Sequence, residues 1–232
     1  MPSQDELKQA AADAAVALIE SDMVVGLGTG STAACAVNAL AARLQKGEIA
    51  NIIGVPTSER TADQARSLGI PLATLEEQPE LDLAIDGADE IEITSLHLIK
   101  GAGGALLREK LVEAAAKTLI IVADESKKVE KLGSKFALPV EIVRFGWKST
   151  FSRVVALGCE PTLRLTASGD PYVTDEQHYI LDCKFEPMSD PVAVADALKG
   201  TIGVVEHGLF IHMASEAIIA TATGIERLKP LS

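Results

Sequence analysis

Apolar positions recur along the chain with two periods. Ser3 and Glu6 form a capping-box pair, and Leu7, Ala10, Ala11, Ala14 and Leu18 follow at helical spacing. Met23 to Leu27 reads as a short buried strand, followed by a helix with the stripe Ala33, Val37, Leu40, Leu44. Ile52 to Val55 is a second strand, and the helix opened by Ser58 is closed by Gly69 and Pro71. Leu81 to Ile85 and Thr118 to Ala123 are further strands, flanking a helix from about Ala105 to Ala116. Strands alternating with helices predict βαβ units and a mostly parallel, doubly wound sheet.

The pattern changes near Lys128 to Phe136. Beyond it come strand (Leu138 to Phe145), helix (Lys148 to Leu157), strand (Pro161 to Leu165) and a turn at Ser168-Gly169-Asp170. Strand (Tyr179 to Cys183), helix (Pro191 to Leu198) and strand (Ile202 to Glu206) complete a β-α-β-β-α-β order. That is the split βαβ, ferredoxin-like arrangement. The fold class expected is therefore α/β with an inserted α+β domain. Residues 131–206 are inserted into a catalytic domain made of 1–130 and 207–232, ahead of its last strand and helix.

Composition narrows the function. The 232 residues are 47% hydrophobic with a net charge of −12, a soluble globular profile whose surface repels nucleic acid and anionic lipid. Asp5 and Glu6 stand where a secretory signal needs cations, and no apolar run approaches membrane-span length. Cys35, Cys159 and Cys183 form no CxxC pair and suit a reducing cytosol. Residues 100–153 reverse the balance, with 11 cations against 6 acids. Such an island can receive a small anion, or form a solvated helix face.

In an open parallel sheet, ligands bind at the carboxyl ends of strands, and three segments fall there. In the first, Gly28-Thr29-Gly30-Ser31-Thr32, glycines and a helix N-terminus can meet an anion, with hydroxyl donors beside them. It lacks the Walker lysine, and Ser31 replaces the third glycine of a dinucleotide fingerprint. A capped structural turn is the alternative. In the second, Asp86-Gly87-Ala88-Asp89, paired carboxylates suit hydroxyl recognition and proton transfer, metal binding, or an Asx turn. None of His97, His178, His207 and His212 stands at ligand spacing to these acids. The third, Lys100-Gly101-Ala102-Gly103-Gly104, brings an ammonium to the start of a helix. On that helix Glu109 shares a polar arc with Lys110, Glu113 and Lys117, opposite Leu107, Leu111 and Ala115. Periodicity thus makes Glu109 a surface residue.

The segments GLGTGSTA (26–33), GVPTS (54–58), DLAIDGADEI (82–91), LIKGAGGALLREK (98–110), VADESKKV (122–129), LPVEI (138–142) and VEHGLF (205–210) resemble the type A ribose-5-phosphate isomerases. They occur in order along essentially the whole chain. The resemblance implies interconversion of ribose 5-phosphate and ribulose 5-phosphate without metal or nicotinamide, in the pentose phosphate pathway. It implies a cytoplasmic homodimer, with a homotetramer as the alternative. By motif, Glu109 becomes the general base and Lys100 stabilises the enediolate. Asp86 and Asp89 contact sugar hydroxyls, with Asp86 assisting ring opening. Thr29, Gly30, Ser31, Thr32, Gly87, Ala88, Gly101, Ala102, Gly103 and Lys127 line the ligand site, with Lys8 near the phosphate. An ordinary carboxyl pKa of about 4.3 would leave Glu109 ionised at neutral pH.

Cys35 reads as a packing residue, and His207 and His212 as structural histidines. A phosphosugar sensor is the rival function, but its usual DNA-binding module has no counterpart before Met23. An amino-sugar phosphate deaminase lacks its histidine arrangement here, and a dinucleotide oxidoreductase lacks its fingerprint.

Overall fold

The computed structural model describes residues 2–230. Residues 1, 231 and 232, the outer ends of the expected catalytic domain, lie outside the described residues. The chain opens with α1 (Gln4–Val16), β1 (Val24–Leu27), α2 (Ser31–Gln45), β2 (Ile53–Pro56), α3 (Glu59–Ser67) and β3 (Leu83–Asp86). Two very short strands, β4 (Glu90–Glu92) and β5 (Leu98–Ile99), precede α4 (Leu106–Ala114), β6 (Leu119–Asp124) and β7 (Lys128–Val129). Then come β8 (Leu138–Ile142), α5 (Trp147–Val155), β9 (Glu160–Leu163), β10 (Tyr179–Lys184), α6 (Pro191–Lys199) and β11 (Val204–His207). The last elements are β12 (Leu209–Phe210), β13 (Glu216–Thr221) and β14 (Gly224–Leu228).

The main sheet has the order β14-β13-β6-β3-β1-β2. All its pairings are parallel except β13 with β14. The mostly parallel α/β architecture expected from the alternating pattern is therefore present. Its core is aliphatic: Val25, Ile85, Ile120, Val122 and Ile218 pack against Ala11, Ala15, Val37 and Leu40 of α1 and α2. Alanines on α1 let that helix lie close to its neighbours, and the Ser3–Glu6 capping box is formed at its start. The buried face of α1 is Ala11, Ala12, Ala15 and Val16, so the expected stripe is rotated and Ala10 faces solvent. With apolar residues that are mostly alanines, hydrophobic contrast around the axis is too weak to fix its face.

A second sheet, β11-β8-β10-β9, is antiparallel throughout and holds its own cluster of Val140, Ile142, Leu181, Cys183 and Leu198. A third, β12-β5-β4-β7, is built from strands of two or three residues that the sequence pattern does not predict. It is anchored by Glu90, fully buried, whose carboxylate accepts the N–H groups of Gly133 (2.7 Å), Lys135 and Phe136 (2.7 Å). These contacts account for the change of pattern near Lys128 to Phe136.

The expected C-terminal helix is absent from the described residues. The chain ends instead in the β13–β14 hairpin, which turns at Thr221↔Gly224. In β14 the half-buried positions are Glu226 and Leu228, two apart as in a strand. No described helix is long and apolar enough to cross a membrane.

Candidate active site

Parallel register brings the carboxyl ends of β1, β2 and β3 level, with Leu27 opposite both Pro56 and Ile85. The segments that leave these ends meet in one cavity. It is lined by Thr29, Gly30, Ser31, Thr32, Gly87, Ala88, Asp89, Lys100, Gly101, Gly103, Glu109 and Lys127. Ala33, at the start of α2, completes the lining; all the others were singled out above, and Glu109 itself corrects the periodicity. Its carboxyl group is buried, as is that of Glu113, whereas Leu111 is exposed. The buried face of α4 is thus Leu106, Glu109, Val112 and Glu113, not Leu107, Leu111 and Ala115. The polar side of this helix faces the site instead of water.

Lys100 is the hub. Its ammonium donates to the Gly87 carbonyl (2.6 Å) and lies 3.1 Å from Asp86 Oδ2, 3.2 Å from Glu113 Oε1 and 3.7 Å from Glu109 Oε2. Three carboxyl groups and one ammonium share a site closed to solvent, which cannot hold three negative charges cheaply. Burial pushes the Glu109 carboxyl up to about 8, with Lys100 opposing and Asp86 reinforcing the shift. Burial also drives Glu113 well above the usual range, against the pull of Lys100. For Lys100, burial alone would depress the ammonium, but Asp86, Glu109 and Glu113 hold it above an ordinary lysine. The expectation of a fully ionised Glu109 at neutral pH is therefore corrected.

Asp86 lies beneath the cavity floor. Its Oδ1 accepts from Thr29 N–H (3.0 Å) and Gly87 N–H (2.6 Å). Gly28 permits this: a Cβ there would stand 2.3 Å from the Asp86 carboxyl carbon. Asp89 is on the cavity wall, and its Oδ2 accepts the Ala102 N–H (2.9 Å). Ala102 thus supports Asp89 and is not itself a lining residue. Lys8 is also absent from the lining and pairs with Asp5 at 3.7 Å.

The glycine loop leads into an uncapped helix start. Gly30, at φ 117°, turns the chain into α2, whose first N–H groups receive no side-chain cap. Beside it Thr29 Oγ1 sits in a buried hydroxyl cluster with Thr57 (2.7 Å), Ser58 (2.8 Å) and Thr61 (3.1 Å). Sequence reading missed this cluster, although Thr57-Ser58 follows a strand end as Thr29 does. Lys127 stands across the cavity in a short turn, 4.7 Å over the Phe136 ring.

The antiparallel sheet reaches into the same region. Arg164 donates to the carbonyls of Gly101 (2.9 Å) and Ala102 (3.1 Å) while pairing with Asp182. Tyr172 packs so closely on Gly104 that a Cβ there would fall 2.3 Å from its hydroxyl. Arg108 links α4 to Glu59 (2.7 Å) and Glu176 (2.5 Å).

The other singled-out groups are structural. Cys35 packs half-buried against the main core. His207 is buried, accepts the Leu209 N–H (3.3 Å), and is held neutral by burial and by Lys110, with its pKa lowered to about 4. His212 pairs with His97 at 3.2 Å. Among the described residues no three His, Cys, Asp or Glu side chains gather as a metal-holding group.

The profile of ribose 5-phosphate isomerase A (phosphoriboisomerase A) matches residues 53–224. The chain belongs to that family. Ribose-5-phosphate isomerase A of Synechococcus sp. (strain JA-3-3Ab) is 72% identical over 229 residues, covering 99% of each chain. A ribose 5-phosphate isomerase A from Methanocaldococcus jannaschii superimposes with a TM-score of 0.94 at 37% identity, over 98% of this chain and 100% of that one. Another D-ribose-5-phosphate isomerase, solved with phospho-erythronic acid, gives 0.95 at 38% identity with the same coverage. This isomerase therefore shares both sequence and fold with enzymes of one named activity.

Proposed function

We propose that this isomerase interconverts D-ribose 5-phosphate and D-ribulose 5-phosphate through an enediolate, in the pentose phosphate pathway of the cytoplasm. The observation that carries the reading is a carboxyl group and an ammonium, Glu109 and Lys100, buried 3.7 Å apart and facing one cavity. Moving a carbonyl from C1 to C2 needs both. Ionised Glu109 takes the C2 proton, the C–H electron pair forms the C1–C2 double bond, and charge moves onto the C1 oxygen. Lys100 stabilises that oxygen. After a proton passes between the two oxygens, Glu109 returns its proton to C1.

Asp89 and the backbone of Gly87 and Ala88 hold sugar hydroxyls. Asp86 assists ring opening by way of Lys100, whose ammonium it holds at 3.1 Å. The first turn of α2, with Ser31 and Thr32, binds the phosphate together with Lys127. Nothing in this scheme calls for a metal or nicotinamide, since Lys100 supplies the electrophile. The reading includes assembly as a homodimer. Its direct test is ketose formation from ribose 5-phosphate by chelator-treated protein. Absence of turnover, or turnover only with an added divalent ion, overturns it.

The antiparallel sheet is proposed to be an inserted ferredoxin-like unit spanning 131–206, within a catalytic unit of 1–130 and 207–232. The strand order β11-β8-β10-β9, with α5 after the first strand and α6 after the third, supports that reading.

Two kinetic outcomes follow. Thr32 serves a phosphate remote from the reacting carbons, so its contact acts on ground and transition states alike. Thr32→Ala is expected to raise KM roughly tenfold and leave kcat within about threefold, in keeping with one hydrogen bond to a charged group. The pH dependence follows from Glu109. Only its carboxylate accepts a proton, and burial raises the pKa to about 8. The profile of kcat/KM, which reports the free enzyme, should therefore rise through pH 7 and level off above about pH 8. A plateau already reached at pH 6 contradicts the buried, protonated base.

A further inference from the structure

Glu113 has no part in the scheme above, yet it is as deeply buried as the groups that do. It lies one helical turn beyond Glu109 on the same face of α4, with its carboxyl group wholly closed to solvent. It is not among the residues lining the cavity, so it does not meet the sugar. One oxygen is 3.2 Å from the Lys100 ammonium, yet neither oxygen has a hydrogen-bond partner. Asp86 Oδ2, also 3.1 Å from that ammonium, is likewise without a partner. A buried carboxyl group left in this state has a role or a hidden proton.

We propose that Glu113 is a positioning residue for the isomerisation, a buried carboxylic acid that bridges Lys100 and Asp86 behind the cavity and fixes where the ammonium points. The inference rests on the isomerase reading and adds a residue to it. Glu113 carries its own proton, because an ionised group would be a third buried negative charge around one ammonium and would oppose a phosphate-bearing substrate. As the neutral acid it donates O–H to Asp86 Oδ2 and offers its carbonyl oxygen to Lys100. The three orphaned oxygens are then satisfied, two by that one proton and the third by the Lys100 ammonium. Gly87, Asp86 and Glu113 then hold the Lys100 ammonium in place, with Glu109 3.7 Å away on the cavity side.

The neutral form makes a distinctive demand. Glutamine has the same shape, the same donor and the same acceptor, so Glu113→Gln should keep kcat within about fivefold. Glu113→Leu fills the space and supplies neither bond, and kcat should fall roughly 100-fold with KM little changed, the scale of a 1 Å misplacement. The alkaline limb of the Glu113→Leu profile should also move to lower pH, since Lys100 has lost an acceptor, while that of Glu113→Gln stays in place. Retained folding is checked by thermal melts. The lysine ammonium is followed independently of turnover by nitrogen-15 NMR, in which a slowly exchanging Lys100 signal is expected in the wild type and Glu113→Gln but not in Glu113→Leu. A 100-fold loss in Glu113→Gln with that signal intact overturns the neutral bridge. Full activity and an unchanged signal in Glu113→Leu overturn positioning altogether. Wild-type protein that fails to turn over ribose 5-phosphate while its Lys100 signal still depends on Glu113 overturns the isomerase reading instead, so the two failures are separate.

Discussion

Glu109→Gln is expected to lower kcat by ~10²–10⁴, the usual contribution of a positioned proton acceptor, while substrate affinity stays within severalfold. The amide matches the carboxyl group in size and can remain on the buried face of α4 beside Lys100. It cannot take a proton from carbon. The mutant should also lose solvent exchange at C2, since no other group facing the cavity is both basic and close to Lys100. The measurement is steady-state turnover alongside deuterium incorporation from heavy water. Activity within about tenfold of wild type, or exchange that survives the loss of turnover, would remove Glu109 from the role of base. Because burial already favours the neutral carboxyl form of Glu109, the amide should fold as stably as the wild type at pH 6.

Lys100→Ala should be the second severe lesion and differ in kind. Charge develops on oxygen only during reaction, so loss of the ammonium should reduce kcat by ~10²–10³ and leave KM within severalfold. It also leaves Asp86, Glu109 and Glu113 buried without a cation. Breaking a buried ion cluster from one side typically destabilises by about 3–5 kcal/mol. The sign with pH follows: carboxyl groups whose folded pKa is raised bind protons more tightly folded than unfolded. Stability of the mutant should therefore fall as pH rises above the unfolded carboxyl range, near 4.5. Thermal melts between pH 5 and 9 measure this, and a melting temperature that rises with pH would contradict the cluster's charge assignment.

Much of the fold could be read from periodicity because the main-sheet strands are continuous apolar runs flanked by turn residues. β1, β2, β3 and β6 each lie within about two residues of their expected limits. The loops at their carboxyl ends were equally legible, since glycine, threonine and aspartate cluster directly after the strands. Helix α4 was not. Its rule of burial is inverted, because Lys100 and the cavity make the polar face the inner one, and sequence periodicity cannot know which side a neighbouring charge occupies. The spacing Glu109-x-x-x-Glu113 was the available signal, two carboxyl groups on one face. The strands of β4, β5, β7 and β12 are too short to show a period, and Glu90, which organises them, looks like one more acid after Asp89. The terminal hairpin was misjudged for a related reason: in β14 only Glu226 and Leu228 are half-buried, an alternation too brief to outweigh the helix usual after a parallel strand.

The bonds from Arg164 to the Gly101 and Ala102 carbonyls, and the seat of Tyr172 on Gly104, make the reactive loop a tenant of two neighbours. One neighbour is the tightly packed parallel sheet. The other holds on through arginine contacts near the surface, each worth little on its own. Such margins open more readily than a core. On warming, Lys100 and its glycines can lose one of their two supports while the sheet beneath stays folded. The catalyst would then fade before the protein melts, and its heat tolerance would be decided at a seam rather than in the interior.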